Sequence, residues 1–249
     1  MTLADFLPAG LDPLLAIGLV AFSLFTSFVT ATLSLGGGML MVAVLALVFP
    51  PMAIVPLHAA IQFGSNAGRA LVQRAHIQWS YFLWMSSGAV VGTLVGGQLV
   101  SIIPGEGLLF AIGVFVLVST WIPSPKVIAR TGPARLLGGA VIAALGMIVG
   151  PTGPLVALYL KGLPDRHQLV ATHAVLMTAQ NGLKLAMFVA LGFAFADYLP
   201  LIIAMVGSGL MGTLIGSRLL VHVPERAFRL GFRIVLSVVA VGILLEALA

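Results

Sequence analysis

The residues of this chain that could do chemistry are basic and amide side chains at matching positions in two apolar stretches. The matched pairs are His58 with His173, Asn66 with Asn181, and Arg69 with Lys184. Each pair is separated by 115 positions. Cationic and amide N–H groups donate hydrogen bonds, and an anion accepts them. The spacing therefore predicts an internal repeat with an anion-binding site between its two copies.

In each copy these side chains form a polar stripe on one face of a helix. The first stripe falls within about 100° of arc, counted at about 100° per residue. Its members are His58, Gln62, Ser65, Asn66 and Arg69. The members of the second stripe are His173, Gln180, Asn181 and Lys184. Polar groups are costly in hydrocarbon, so we interpret both stripes as functional and as facing protein or water.

Plainer interpretations stay open for three of these residue types. Arg74 and His76 follow Arg69 closely, so Arg69 could be a topological charge that reaches the membrane surface. The histidines could each be hydrogen-bonded to a carbonyl, and the asparagines could join helices rather than bind a ligand. Lys184 differs because apolar residues flank it on both sides and the nearest acid along the chain is Asp197.

A break rich in Gly or Pro precedes each polar stripe. Non-helical backbone is tolerated at membrane depth only where protein or water surrounds it, and the N-terminus of a half-helix offers N–H groups to an anion. We therefore expect both breaks to line the site. The residues expected there are Gly36, Gly37, Gly38, Pro151, Thr152 and Gly153. Thr152 adds a hydroxyl donor that the first break lacks.

The composition places the elements that hold these residues inside a membrane. The 249 residues are 60% hydrophobic and 8% charged, and the mean hydropathy is +1.17. Soluble domains carry about 25% charged residues, so we predict an all-α integral membrane protein. The net charge of +5 then reflects topology, and no nucleic-acid partner is expected. The lack of cysteine excludes disulfides and thiolate metal sites, and we expect neither a cofactor nor a metal.

Ten apolar stretches form two sets with the same order, a pair of segments joined by a break and then three helices. The first set lies at about 13–35, 38–49, 52–73, 79–103 and 106–122. The second set lies at about 135–149, 153–160, 167–193, 198–219 and 227–247. The short segments predict a broken helical hairpin in each half. The predicted division is a first membrane repeat at 1–123, a basic cytoplasmic connector at 124–134 and a second membrane repeat at 135–249.

The distribution of charge indicates how the two repeats are oriented. Basic residues collect at 69–74, in the connector, at 161–166 and at 218–229, which predicts that these segments are cytoplasmic. The acids assigned to the other side are Asp5, Asp12, Glu106, Asp197 and Glu246. This split is consistent only if each hairpin returns to its own side of the membrane, so that each half makes an odd number of net crossings. It favours an inverted repeat over a parallel duplication.

Small residues four positions apart predict close helix packing on the fourth helix of each half. The first series is Gly88, Gly92 and Gly96, and the second is Ser208, Gly212 and Gly216. We interpret both series as structural.

The positions of the acidic residues also bear on the charge of the cargo. All seven lie in loops or near segment ends, whereas a cation carrier would normally place a carboxylate at membrane depth. We assign any proton coupling to His58 or His173, because histidine titrates nearest to neutral pH. A pH dependence that survives glutamine at both positions would contradict that assignment.

Several motifs together resemble the TauE/SafE sulfite exporter family. They are the Gly36-Gly37-Gly38 break, the Phe49-Pro50-Pro51 turn, the small residues after Pro56, and a helix with Gly92-Thr-Leu-Val-Gly96 that ends near Ile103-Pro104. The resemblance covers about residues 15–248 and departs from the family pattern at the second break, Gly150-Pro151-Thr152-Gly153-Pro154. It implies a multi-pass permease of the bacterial inner membrane that moves small sulfur-containing anions such as sulfite, organosulfonates or sulfoacetate.

The function predicted from residues and resemblance is secondary transport, as an exporter, of a small anion by alternating access between the repeats. A passive anion channel would use the same cationic cavity, and a membrane enzyme or assembly factor is a third interpretation. The chain lacks a G-x-x-x-x-G-K-[ST] motif, so it does not itself pump with ATP. The predicted partners are the anion and the lipid bilayer, homo-oligomerisation is left open, and no enzymatic activity is expected.

Overall fold

The computed structural model describes residues 7–8, 10–33, 36–121, 131–218 and 225–248. Within these ranges the chain forms ten α-helices and no strand. The first five are α1 (Pro13–Leu33), α2 (Gly37–Ala46), α3 (Pro51–Val72), α4 (Trp79–Ile102) and α5 (Gly105–Trp121). The second five are α6 (Gly132–Val149), α7 (Gly153–Leu160), α8 (Arg166–Ala190), α9 (Leu199–Arg218) and α10 (Glu225–Leu248). Each helix lies within a few residues of a predicted apolar stretch, so the all-α membrane fold is confirmed.

Parts of two predicted basic segments cannot be compared with the structure. Residues 124–130 of the connector and 219–224 of the segment between α9 and α10 lie outside the described residues. α6 begins at Gly132, inside the segment that the sequence assigns to the connector. The boundary at 134 between connector and second repeat therefore stays a prediction.

Five described helices contain a window that is long and apolar enough to cross a membrane. The windows are Pro13–Ala31, Trp79–Ile102, Gly132–Val149, Phe195–Gly216 and Leu230–Leu248. Large apolar side chains on these helices are exposed, for example Leu94 on α4 and Val238 on α10. In a membrane these side chains would face lipid, so they need no protein partner.

The helices with the polar stripes, α3 and α8, lie at the centre of the molecule. They contain 22 and 25 residues, which corresponds to about 33 and 38 Å at 1.5 Å per residue. They pack against each other and bury most of their polar side chains. Polar stripes that would be costly in lipid are thus enclosed by protein.

The short helix α2 folds back along α1 to form a hairpin. Gly37 begins α2 directly against the Thr26 carbonyl and the Thr30 hydroxyl, so a side chain at Gly37 would collide with α1. Gly36 just before it has φ of 106°, in the left-handed region that favours glycine. Gly150 holds the corresponding break before α7 with φ of 89°. Glycine is therefore required where each hairpin turns.

The two halves pack together through equivalent helices. The first helix of each half packs against the fourth helix of the other half, as α1 with α9 and α6 with α4. Gly212 approaches the Leu24 carbonyl, and Gly92 approaches the Ala140 carbonyl. These contacts confirm that the predicted small-residue series are packing surfaces.

Equivalent helices that contact each other run in opposite directions. The end of α3 lies against the start of α8, where the His76 and His167 rings are 5.3 Å apart between centroids. α5 and α10 are also antiparallel, because the Trp121 indole donates to the Ser237 hydroxyl at 2.7 Å while Gly113 faces Leu244. The helices of these two pairs are thus antiparallel where they pack.

Candidate functional site

The two helix breaks and the two polar stripes meet around a cavity of about 40 Å³. A single water needs roughly 10–15 Å³, so the cavity has room for a small polar group. Eight of the predicted site residues line it, namely Gly36, Gly38, His58, Gln62, Asn66, Pro151, Gly153 and His173. The structure thus brings residues of both breaks together with three members of the first stripe and with His173 of the second.

Four further residues line the cavity and were not predicted from the sequence as site residues. They are Thr30, Met39, Pro154 and Met177. A usable signal existed for one of them, because Met177 lies 115 positions after the predicted residue Gln62. Met39 and Pro154 are also 115 positions apart, but neither corresponds to a predicted residue.

Each histidine is tied to the break of its own half by the same bond. His58 Nε2 lies 3.1 Å from the Gly38 carbonyl, and His173 Nε2 lies 3.0 Å from the Gly153 carbonyl. A carbonyl only accepts, so Nε2 carries the proton and donates in both cases. The bonds hold α3 to α2 and α8 to α7. Each histidine is therefore hydrogen-bonded to a carbonyl, as the plainer interpretation of these residues suggested.

Replacing either histidine by leucine is expected to loosen its hairpin. The change removes one buried hydrogen bond, so the free energy of unfolding should fall by about 1 kcal/mol in each variant and by about twice that in the double variant. Thermal unfolding of the detergent-purified protein measures this. Unchanged melting temperatures would contradict a tethering role for these side chains.

A second polar cluster lies behind the break between α6 and α7, around Lys184. The Lys184 side chain is fully buried, and its ammonium donates to the Gly150 carbonyl at 2.7 Å and to Asn181 Oδ1 at 3.4 Å. Thr152 is also fully buried and donates its hydroxyl to Gln180 Oε1 at 3.3 Å. These four predicted residues lie together but do not line the cavity.

The cluster connects to the cavity through Gly150. Its carbonyl binds Lys184, and a Cβ built on Gly150 would lie 3.5 Å from His58 Nδ1. Among the described residues His58 Nδ1 has no hydrogen-bond partner. One break thus separates a cavity-lining histidine of the first half from the buried ammonium of the second.

The first-half counterpart of Lys184 is buried as well. Arg69 is only 6% exposed, and its Nη1 donates to Asn66 Oδ1 at 3.4 Å. Asn66 in turn donates from Nδ2 to the Gln62 carbonyl at 2.8 Å. A topological charge would extend to the surface, so the burial of Arg69 argues against that interpretation. Gly37 does not line the cavity either, because it packs against α1.

The described acids lie away from both clusters. Asp12 precedes α1, Glu106 is in the first turn of α5, Asp165 caps α8, and Asp197 lies in a 3₁₀ turn before α9. Glu246 is near the end of α10. Within the described ranges, no group of three or more metal-ligating side chains could hold a metal ion. The site therefore combines cations, amides and backbone without a described counter-anion.

Comparison with known proteins gives one match. The family described as Sulfite exporter TauE/SafE matches residues 19–243 of the chain. No curated protein and no solved structure is significantly similar to it. The matched range includes both breaks, both polar stripes and all ten helices at least in part.

Proposed function

Because the chain belongs to the Sulfite exporter TauE/SafE family, we propose that it exports a small sulfur-containing anion, such as sulfite or an organosulfonate, across the bacterial inner membrane. It acts as a secondary transporter. The family and the apolar helices support a multi-pass membrane protein, while the choice of anion and the mechanism are inferred from the site.

The observation that carries this proposal is the environment of Lys184. The fully buried ammonium donates hydrogen bonds to a carbonyl and an amide oxygen, and among the described residues no carboxylate neutralises it. Burying a charge without a counterion costs several kcal/mol. An anion that enters the site would supply the missing counterion, so the site is suited to negatively charged cargo.

The proposed architecture is an inverted repeat, with repeats at 1–123 and 135–249. The antiparallel pairing of α3 with α8 and of α5 with α10 supports it, because a two-fold axis across these helices relates helices of opposite direction. Such an axis lies in the membrane plane. Rocking of one half against the other would open the site alternately to each side. The chain provides both halves of the site, so a second subunit is not needed to complete it.

The orientation proposed for the protein follows from the described charged groups. Arg74, Lys161 and His167 lie at the end where α3 finishes and α8 begins. Asp12 and Asp197 lie near the opposite end, where residues 7–8, 10–11, 48–50 and 197–198 line one pocket. Placing the basic end in the cytoplasm satisfies the positive-inside rule.

Flux measurements with purified protein in proteoliposomes test the proposal. We expect sulfite, or another anion of a panel with thiosulfate, isethionate and sulfoacetate, to cross with saturable kinetics. Trans-side anion should accelerate the flux, since a carrier returns faster when loaded. Protein-free liposomes provide the background.

A passive anion channel would use the same cationic site and is the second candidate. It would pass current without saturation at low anion concentration, and trans-side anion would not accelerate it. Conductive flux of that kind would show that the protein is a channel and not a transporter. Absence of flux above background for every anion in the panel would contradict both.

A further inference from the structure

The two polar stripes are equivalent in sequence position, but their hydrogen-bond donors are not equally satisfied. In the first half, Asn66 Nδ2 donates to the Gln62 carbonyl at 2.8 Å. Ser65 lies 3.2 Å from the Ser27 hydroxyl and 3.5 Å from the Thr213 hydroxyl. The Asn66 amide and the Ser65 hydroxyl of the first stripe thus have protein partners, whereas Arg69 Nε of the same stripe is buried without one among the described residues.

The second stripe contains a surplus of donors at the corresponding positions. Gln180 takes the place of Ser65, and Asn181 takes the place of Asn66. Gln180 Nε2 and Asn181 Nδ2 are buried, and neither has a partner among the described residues. Gln180 is 1% exposed and Asn181 is 0% exposed, so water does not reach them from outside. Each unpaired buried donor costs about 1–3 kcal/mol.

Lys184 adds to the same surplus. An ammonium has three N–H donors, and Lys184 uses two of them, on Gly150 and Asn181. Gln180, Asn181 and Lys184 lie at positions i, i+1 and i+4 of α8, so they share one side of the helix. Three nitrogen donors without enough acceptors fit a ligand that has several acceptor oxygens and negative charge.

The Gly150 carbonyl occupies the position in this cluster where such an oxygen would bind. It lies 2.7 Å from Lys184 Nζ, and it belongs to a break rather than to a helix interior. A Cβ built on Gly146 would lie 3.0 Å from Lys184 Cε, so the absence of a side chain there gives the lysine its space. The cavity of about 40 Å³ does not reach Gln180, Asn181 or Lys184. These donors are thus closed off from the cavity, and we expect the break between them to move when an anion binds.

We propose that Gln180 Nε2, Asn181 Nδ2 and Lys184 Nζ form the anion subsite, and that the bound oxyanion displaces the Gly150 carbonyl from Lys184. The ligand class is a small oxyanion with at least three acceptor oxygens, such as sulfite or a sulfonate group. The first stripe is its structural counterpart. This inference rests on the proposed function and assigns ligand binding to one of the two stripes. Displacement of the carbonyl would also release the break beside His58, which couples binding to movement of the hairpin.

Matched substitutions in the two stripes test the subsite. Asn181→Asp keeps the Oδ1 acceptor for Lys184 but removes the Nδ2 donors and adds a negative charge, and Asn66→Asp makes the same change beside Arg69. Sulfite binding is measured by the thermal shift of purified protein at rising concentration. We expect Asn181→Asp to weaken binding by at least about 100-fold, since losing a donor and adding repulsion together exceed about 2.7 kcal/mol. Asn66 lines the cavity but does not belong to the subsite, so Asn66→Asp should weaken sulfite binding at least about tenfold less than Asn181→Asp does.

A second pair of substitutions keeps the test decisive if the aspartate variants do not fold. Gln180→Met removes only the amide, and we expect about a tenfold loss of sulfite affinity, the equivalent of one hydrogen bond. Ser65→Ala is its counterpart and should lower the melting temperature without changing sulfite affinity. Equal losses in both stripes, or a loss confined to the first stripe, would overturn the inference while leaving anion transport intact. A wild-type protein that neither binds nor carries any anion of the panel would instead overturn the proposed function.

Discussion

Lys184→Met is expected to lower anion flux in proteoliposomes by at least about 100-fold while the protein remains folded. Truncating one member of a buried charge pair typically costs about 3–5 kcal/mol, and each 1.4 kcal/mol corresponds to about a factor of ten. The ammonium forms such a pair only when the anion is bound, so the loss should appear in binding and transport. Methionine has a similar length and no charge to bury. The melting temperature without anion should therefore stay the same or rise.

The neighbouring position provides the control for Lys184→Met. Leu185→Met introduces the same side chain one residue later on α8, where Leu185 is partly buried and packs against the apolar core. A volume-conserving apolar exchange costs less than about 1.5 kcal/mol, so flux should be nearly unchanged. Normal flux in the Lys184 variant would place the anion elsewhere. Loss of flux together with a large drop in melting temperature would make Lys184 a structural residue instead.

The repeat offset explains why so much of the fold could be predicted from the sequence. An apolar helix is recognisable from length and composition alone, and both halves have the same order of segments. Two histidines 115 positions apart occupy the same geometry, each bonded to a glycine carbonyl in its own break. A pattern that occurs twice is less often accidental than one that occurs once, so the repeat predicts His58 and His173 together as site residues. The same logic could have added Met177, which corresponds to Gln62 and also lines the cavity.

The division of the predicted site into a cavity and a separate cluster could not be derived from sequence. Thr152 and Gly153 are neighbours in the chain, but Gly153 lines the cavity while Thr152 turns toward Gln180. Gly37 lies between two lining glycines and instead packs on α1. These differences depend on the dihedral angles at each break, and a Gly- and Pro-rich segment allows many such angles. Periodicity specifies faces of helices but carries no comparable information about non-helical backbone.

Gly212→Ala is expected to prevent stable folding, although it adds only one methyl group. A Cβ at Gly212 would collide with the Leu24 carbonyl on α1, and a backbone atom cannot rotate away as a side chain does. The whole of α9 would have to move from α1. Overpacking usually lowers the free energy of unfolding by about 1–3 kcal/mol and sometimes by more. A clash with rigid backbone should cost at least about 3 kcal/mol. Fluorescence size-exclusion of the detergent extract should show loss of the monodisperse peak.

Gly207→Ala on the same helix separates the collision from the general effect of removing a glycine. A Cβ built on Gly207 has no atom within 4 Å, and alanine favours the helix over glycine by about 1 kcal/mol. This variant should therefore be as stable as the unmodified protein or more so. The two substitutions are chemically identical and five positions apart on α9, so only their neighbours differ. If both variants extract as monodisperse protein with similar melting temperatures, α9 does not approach α1 as closely as Gly212 and Leu24 indicate, and the swapped packing of the two halves would have to be revised.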